Sequence, residues 1–200
     1  MKRLFDHMNA KLAVTIVCVL LISSGCSTPN HEGVAVYLTK GDIPPAQLPA
    51  LSHIDIADQP VIATKDIVSY NAETHEMTLT TEAFDRISSL EVPVRGRSFV
   101  VCVDRKPIYA GAFWTPISSM SFDGVTIWKP LGQKESKVIK LELGYPSSSF
   151  YGGADPRNNA EVMESLRQAG KLTNTLPATE VDMLPHSMKG YELYSWQGNG

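Results

Sequence analysis

Cysteine is scarce in this chain, with three among 200 residues, and their placement leaves little for thiol chemistry. Cys18 lies inside an apolar N-terminal run, Cys26 closes that run, and Cys102 sits alone within Phe99-Val100-Val101-Cys102-Val103. In that apolar run the Cys102 thiol behaves as a small buried hydrophobe rather than as a nucleophile. Long apolar runs are missing too. Leu12 to Ile22 is eleven residues with only Thr15 polar, against the roughly 20 that a bilayer span needs. Charge of one sign is also lacking: 18 Lys and Arg against 21 Asp and Glu give −3. That leaves no electrostatic footprint for nucleic acid, so no nucleic-acid partner is expected. No Walker loop, G-x-S-x-G or G-x-G-x-x-G occurs, which removes the common nucleotide and nucleophile-elbow signatures. His31, His53, His75 and His186 stand apart in the sequence, without the three- or four-residue spacing by which a helix offers two ligands to zinc. His75-Glu76 lacks a second histidine. No metal ligand set and no cofactor are expected.

What is present begins at the N-terminus. Lys2, Arg3 and Lys11 precede the apolar run, and Ser23-Ser24-Gly25 follow it. A basic start, a short apolar stretch and a small-residue exit form a secretory signal peptide over residues 1–25. The small residues end at Cys26, and there the segment resembles a bacterial lipoprotein signal. Its lipobox places a small residue, here Gly25, directly before an acylated cysteine. The resemblance implies a diacylglyceryl thioether on Cys26, cleavage after Gly25, and acylation of the new amino group by a fatty acid such as palmitate. Ser23 departs from the Leu usual three positions before the cysteine. An ordinary signal peptide with an incidental cysteine is the plainer alternative.

Several consequences hang on that resemblance. Losing residues 1–25, which carry a net +2, takes the formal charge from −3 to −5, so acyl chains rather than basic residues must hold the membrane. Each buried CH₂ contributes about 0.8 kcal/mol, and two or three chains together anchor stably. A lipidated Cys26 also leaves Cys102 without a disulfide partner. Residues 26–33 become a lipidated tether, whose seven residues after Cys26 reach at most about 25 Å. In Gram-negative lipoproteins an Asp directly after the acylated cysteine commonly retains the protein at the inner membrane. Ser27 is there instead, which implies the outer membrane facing the periplasm where the host has one.

Residues 34–200 read as one globular domain. Val34 to Leu38 is a buried strand. Gly41 to Pro60 holds Pro44, Pro45, Pro49 and Pro60, which deny it a long helix or a central strand, so it is expected to run over the surface. Asp66–Tyr70 and Glu76–Thr80 are strands around a polar turn. Thr80 or Thr81 caps a helix with Ala83, Phe84, Ile87 and Leu90 on its apolar side. Phe99–Val103 is an interior strand, Asp104 to Pro107 a turn, and Ile108–Trp114 the returning strand. Val125–Trp128 and Val138–Leu143 follow, the latter alternating Ile139, Leu141 and Leu143 with Lys140 and Glu142. Asp155-Pro156 is expected to open a second helix with Val162, Met163, Leu166 and Ala169 inward and Gly170 at its end. The tail is loop-like in composition, with Tyr191–Trp196 as a last candidate strand. The order argues for a single α+β domain, two helices on a mostly antiparallel sheet.

Residues 66–114 carry two further resemblances. The run from D-I-V-S-Y through T-H-E-M-T-L-T-T-E-A-F-D-R-I to F-V-V-C-V-D-R-K-P-I-Y-A-G-A-F-W resembles a segment of uncharacterised bacterial envelope proteins. Its strand, helix and hairpin are also similar to the periplasmic head of SecD-type translocase subunits, where a hairpin around V-D-G follows in the same order. Arg105 stands where that pattern favours Gly. The likeness implies a fold element and no translocase activity.

Two function classes follow. One is a lipid-anchored cell-envelope protein with a non-catalytic binding or structural role and an envelope protein as partner. The other is an envelope hydrolase built from separated loop residues: Asp104, His75 and a serine from Ser118-Ser119-Met120-Ser121 or Ser147-Ser148-Ser149. Tyr145 to Asp155 mixes aromatics with Ser and Gly as binding loops do, although a surface Ω-loop has the same look. Phe113, Trp114, Phe122 and Trp128 either line a groove or fill the core. Converging polar groups in a deep pocket would favour the enzyme; an exposed apolar patch would favour the binding module.

Overall fold

The computed structural model of the chain describes residues 31–130 and 136–173. Expectations placed on residues 1–25, on Cys26 and on Tyr191–Trp196 lie outside them. Segments rich in β-branched and aromatic residues form strands β1 (Val34–Leu38), β2 (Ile67–Asn71), β3 (Glu76–Leu79), β4 (Arg97–Val103), β5 (Lys106–Trp114), β6 (Phe122–Trp128), β7 (Val138–Tyr145) and β8 (Leu172–Thr173). Helix α1 (Thr81–Ser88) follows β3, and α2 (Ala160–Gln168) leads into β8. Among the described residues the strands join in one sheet, in the order β1-β4-β5-β6-β7-β3-β2-β8. The β5–β6 and β2–β8 pairs are parallel, and the other neighbours antiparallel. The domain is α+β, with both helices on a mostly antiparallel sheet.

One face of the sheet carries the main core. Val36 of β1, Phe99 and Val101 of β4, Phe113 of β5, Ile127 of β6 and Leu141 of β7 pack there against Phe84 and Ile87 of α1 and Val162 and Leu166 of α2. Each such side chain contributes roughly 1.5–3 kcal/mol on burial, more than a helix of eight or nine residues could gain from its own turns. Thr80 caps α1 by accepting the Ala83 N–H at 3.3 Å. Leu141 and Ile139 are buried and Lys140 is exposed, the alternation expected of β7.

The opposite face is closed by segments without regular structure. Residues 41–60 hold short 3₁₀ turns, Pro45–Gln47 and Leu51–His53, and a single β-bridge from Ile56 to Thr39. They do more than run over the surface: Leu48, Leu51, Ile54 and Ile56 cover Ala35, Tyr37, Val100 and Cys102. The second cover is the connection from β5 to β6, Thr115 to Ser121. Parallel neighbours normally need a crossover of a dozen or more residues. Here seven residues, with a turn at Pro116-Ile117 closed by the Ser118 N–H donating to the Thr115 carbonyl at 3.1 Å, carry the chain from the end of β5 to the start of β6, which runs parallel to it. The loop therefore lies back along the sheet.

Two local expectations are corrected. Helix α2 starts at Ala160, with Asn159 as N-cap accepting from Glu161 N–H at 2.9 Å. Asp155 does not cap it, because its carboxylate binds Arg157, through the backbone N–H at 3.0 Å and the guanidinium at 2.7 Å. The β4–β5 turn is only Asp104-Arg105, with φ of 49° and 64°. Lys106 and Pro107 already belong to β5, and Pro107 sits where the register with β4 shifts, a place that does not need its missing N–H.

Candidate functional site

Strand direction gives the domain two distinct ends. Val34 begins β1 opposite Val103, beside the Asp104-Arg105 turn. From that turn β5 runs to Trp114, which is in register with Trp128 at the end of β6. The two tryptophans therefore mark the end of the sheet far from Val34.

At this far end the second face is aromatic. Trp114 stacks on Phe122 with centroids 5.2 Å apart, and Tyr145 lies 5.4 Å from Trp114 and 5.3 Å from Trp128. Tyr145 Oη donates toward the carbonyls of Ser118 at 3.0 Å and Pro116 at 3.3 Å, which ties the β5–β6 loop to the stack. Ser118 Oγ donates to the Val94 carbonyl at 2.5 Å. This scaffold leaves apolar side chains in solvent: Ile117 is 79% exposed, Val94 54%, Met120 47% and Trp128 36%. A shallow groove of about 410 Å³ adjoins them, lined by Trp128, Pro116, Phe84, Lys140 and Glu142. Phe113, by contrast, is core, 5.2 Å from Phe99. Single exposed apolar residues are ordinary, but several on one rigid support mark a contact surface.

The residues that the hydrolase reading needs are held in separate networks. Asp104 Oδ1 accepts the Gly33 N–H at 2.9 Å. His75 Nδ1 lies 3.1 Å from Tyr70 Oη, and strands β6 and β7 stand between its turn and the β4–β5 hairpin. Ser147 and Ser149 bond to each other at 2.7 Å, while Ser119 and Ser121 are exposed. A nucleophile, base and orienting acid must lie within hydrogen-bond reach of one another, and this fold does not bring these together. The Tyr145–Asp155 loop is a surface excursion with one 3₁₀ turn, Ser148–Phe150.

His75 belongs to a structural cluster. It takes a left-handed backbone (φ 57°) at the β2–β3 turn, its N–H donates to Asn71 O, and its carbonyl accepts from Leu141. Burial lowers the His75 pKa, and the Arg157 guanidinium lowers it further. The Arg157 hydrogen bond holds the Asp155 carboxyl below its usual range. Burial raises the Tyr70 and Tyr109 hydroxyls above theirs. Cys102 is fully buried and its thiol is pushed up to about 11 by desolvation, the inert condition its surroundings predict. Among the described residues no three of His, Cys, Asp and Glu converge as a metal cage, and no helix is long and apolar enough to cross a membrane.

Sequence reasoning singled out Trp128 but passed over Ile117, Met120 and Val94. The available signal was composition: Ile117 and Met120 are large apolar residues in a seven-residue loop otherwise made of Ser, Thr and Pro, with no strand or helix to turn them inward. No protein-family model, curated protein or solved structure matches this chain.

Proposed function

We propose that the chain is a lipid-anchored cell-envelope protein, acylated on Cys26 after cleavage at Gly25, whose α+β domain has a binding role rather than a catalytic one. In a Gram-negative host its place is the outer membrane, facing the periplasm, and its partner is another envelope protein. The observation that carries the binding role is the apolar far end, with Ile117, Val94 and Trp128 exposed on an aromatic support. Support for the anchor is the basic start, short apolar run and small residues that lead to Cys26. The separate hydrogen-bond partners of Asp104, His75 and the Ser147–Ser149 pair speak against the hydrolase alternative.

Intact mass and membrane fractionation of the expressed protein, beside Cys26→Ala, test the anchor. The expected result is an acylated chain beginning at Cys26 in the membrane fraction, with the variant unacylated. An unmodified chain in the soluble fraction defeats the reading. For the binding role, a photo-crosslinking amino acid at Ile117 should give one defined protein adduct in cells, and one at the exposed Val68 of β2 should give none. Equal labelling from both positions counts against a dedicated surface.

A further inference from the structure

The β6–β7 ladder stops short of the start of β7. Its last pair is Ile127 with Leu141, whereas Val138, Ile139 and Lys140 are in register with β3. Past Trp128 the chain reaches Pro130, which has no N–H with which to extend the ladder. The groove of about 410 Å³ beside Trp128 opens at this place. It reaches the margin of the main core, where Phe84 of α1 and Ile139 line it. Trp128 and Pro116 line it as well, and Tyr145, 5.3 Å from Trp128, steadies the indole. Such a volume lies within the roughly 300–1,000 Å³ of sites that bury a ligand, and a rigid tryptophan is a common anchor of protein contacts.

The charges on this groove do not balance. Lys129, Lys140 and Glu142 line it, two cations against one carboxylate, in a chain whose formal charge is −3. Lys140 Nζ lies 3.9 Å from Glu142 Oε1, at the outer limit of an ion pair, and both side chains are partly exposed. The Lys129 ammonium has no ion pair among the described residues, and neither has Arg95, next to the exposed Val94. The rim therefore carries positive charge that the domain itself leaves unmatched, around an apolar interior.

We propose that the groove seats one apolar side chain of the protein partner, carried on an acidic segment whose carboxylates meet Lys129 and Lys140. The inference rests on the binding role proposed above and names the chemistry that the partner brings. An apolar side chain gains by leaving water for the space between Trp128, Phe84 and Ile139. A carboxylate beside it gives Lys129 the counter-charge it lacks, whereas a basic segment would set like charges together and be turned away. The groove is concave and holds Glu142 in its lining. Both features suit an inserted side chain better than a flat, anionic bilayer surface, which would leave the hollow unfilled.

The test titrates the full-length Cys26→Ala chain with three end-blocked seven-residue peptides, each a central leucine flanked by glutamate, by serine or by lysine. The readout is the indole N–H resonance of Trp128, identified by its loss in Trp128→Phe. The glutamate peptide should shift it with an affinity about tenfold above the serine peptide, and the lysine peptide should not saturate. Lys129→Glu with Lys140→Glu should invert that order, and the Lys129 N–H bond to the Trp114 carbonyl does not depend on the charge. Silence from all three peptides overturns the proposal, and so does a shift indifferent to peptide charge or unchanged by the reversal. Vesicles of phosphatidylethanolamine and phosphatidylglycerol should leave the resonance in place; a stronger shift from them than from any peptide makes the occupant a membrane and overturns it too. Crosslinking from position 117 in cells separates the two failures. No protein adduct overturns the binding role and this proposal with it, whereas an adduct that the double charge reversal leaves undiminished overturns this proposal alone.

Discussion

Arg105 offers a case in which two opposing effects have a calculable order. Its φ of 64° costs an L-residue roughly 1–2 kcal/mol. Glycine removes that cost but brings a more flexible unfolded chain, worth about 0.5–1 kcal/mol the other way. The backbone therefore gains about 0.5–1 kcal/mol from Arg105→Gly. Against this stands the lost side chain: a cation contact with the Tyr37 ring at 5.1 Å and a hydrogen bond to the Asp58 carbonyl at 3.2 Å. At an exposed turn each is worth about 0.5–1 kcal/mol. Arg105→Gly should thus destabilise by about 0.5–1 kcal/mol, and Arg105→Ala, which keeps the backbone cost, by about 1–2 kcal/mol. The order Arg, Gly, Ala inverts the usual preference for alanine over glycine. Thermal unfolding in the unacylated Cys26→Ala background reads it directly, since 1 kcal/mol shifts Tm by roughly 2–4 °C in a chain of this size. If Ala proves as stable as Gly, the left-handed turn is not imposing its cost and the reasoning fails.

Three further outcomes are expected. Because burial and Arg157 lower the His75 pKa, the folded state binds fewer protons than the unfolded chain below the unfolded value of about 6.5. Stability should therefore fall as pH drops through that value towards the folded one, and urea midpoints at pH 8 and pH 5 should converge in His75→Gln. The Asp155 contribution, whose pKa is also lowered, disappears only in more acid solution, below about pH 4. Gly96→Ala places a Cβ inside the Trp114 ring at φ +80° and should cost more than about 2 kcal/mol in denaturant unfolding; a loss under 0.5 kcal/mol would mean that the aromatic stack yields easily. Cys102 should resist iodoacetamide at pH 8 in the native protein and react promptly in urea, and fast native labelling would contradict its burial.

How far the sequence could be read depended on the reach of each signal. Local patterns were legible: the Ile139, Leu141, Leu143 alternation reports one buried face, and Thr80 before an apolar stripe is a cap whichever fold surrounds it. Asp155-Pro156 misled because its letters match a helix start, whereas Arg157, two residues on, captures the carboxylate. The parallel pairing of β8 with β2, Tyr70 to Leu172, links positions too distant for any local pattern. The β5–β6 loop looked like an ordinary serine-rich connection. Nothing in its letters says that it returns along the sheet, and the exposed surface exists because it does. Candidate catalytic residues were visible as residue types, but distance decides their worth, and distance belongs to the fold.

Strand β7 divides its edges between two ladders. Val138, Ile139 and Lys140 pair with β3, and Leu141 to Tyr145 pair with β6. The sheet is thus two smaller sheets, β1-β4-β5-β6 and β3-β2-β8, spliced end to end on one strand. Such a joint would be the weakest line in the molecule if it stood alone. Helix α2 supplies a second fastening, since it rests on β1 and β4 and its chain runs on through Lys171, whose carbonyl accepts from Tyr70 of β2. The two half-sheets are therefore coupled through a shared strand, across the back by α2, and through Val36 of β1, which bridges Ile62 ahead of β2. A load that parts one of these couplings still leaves the halves joined.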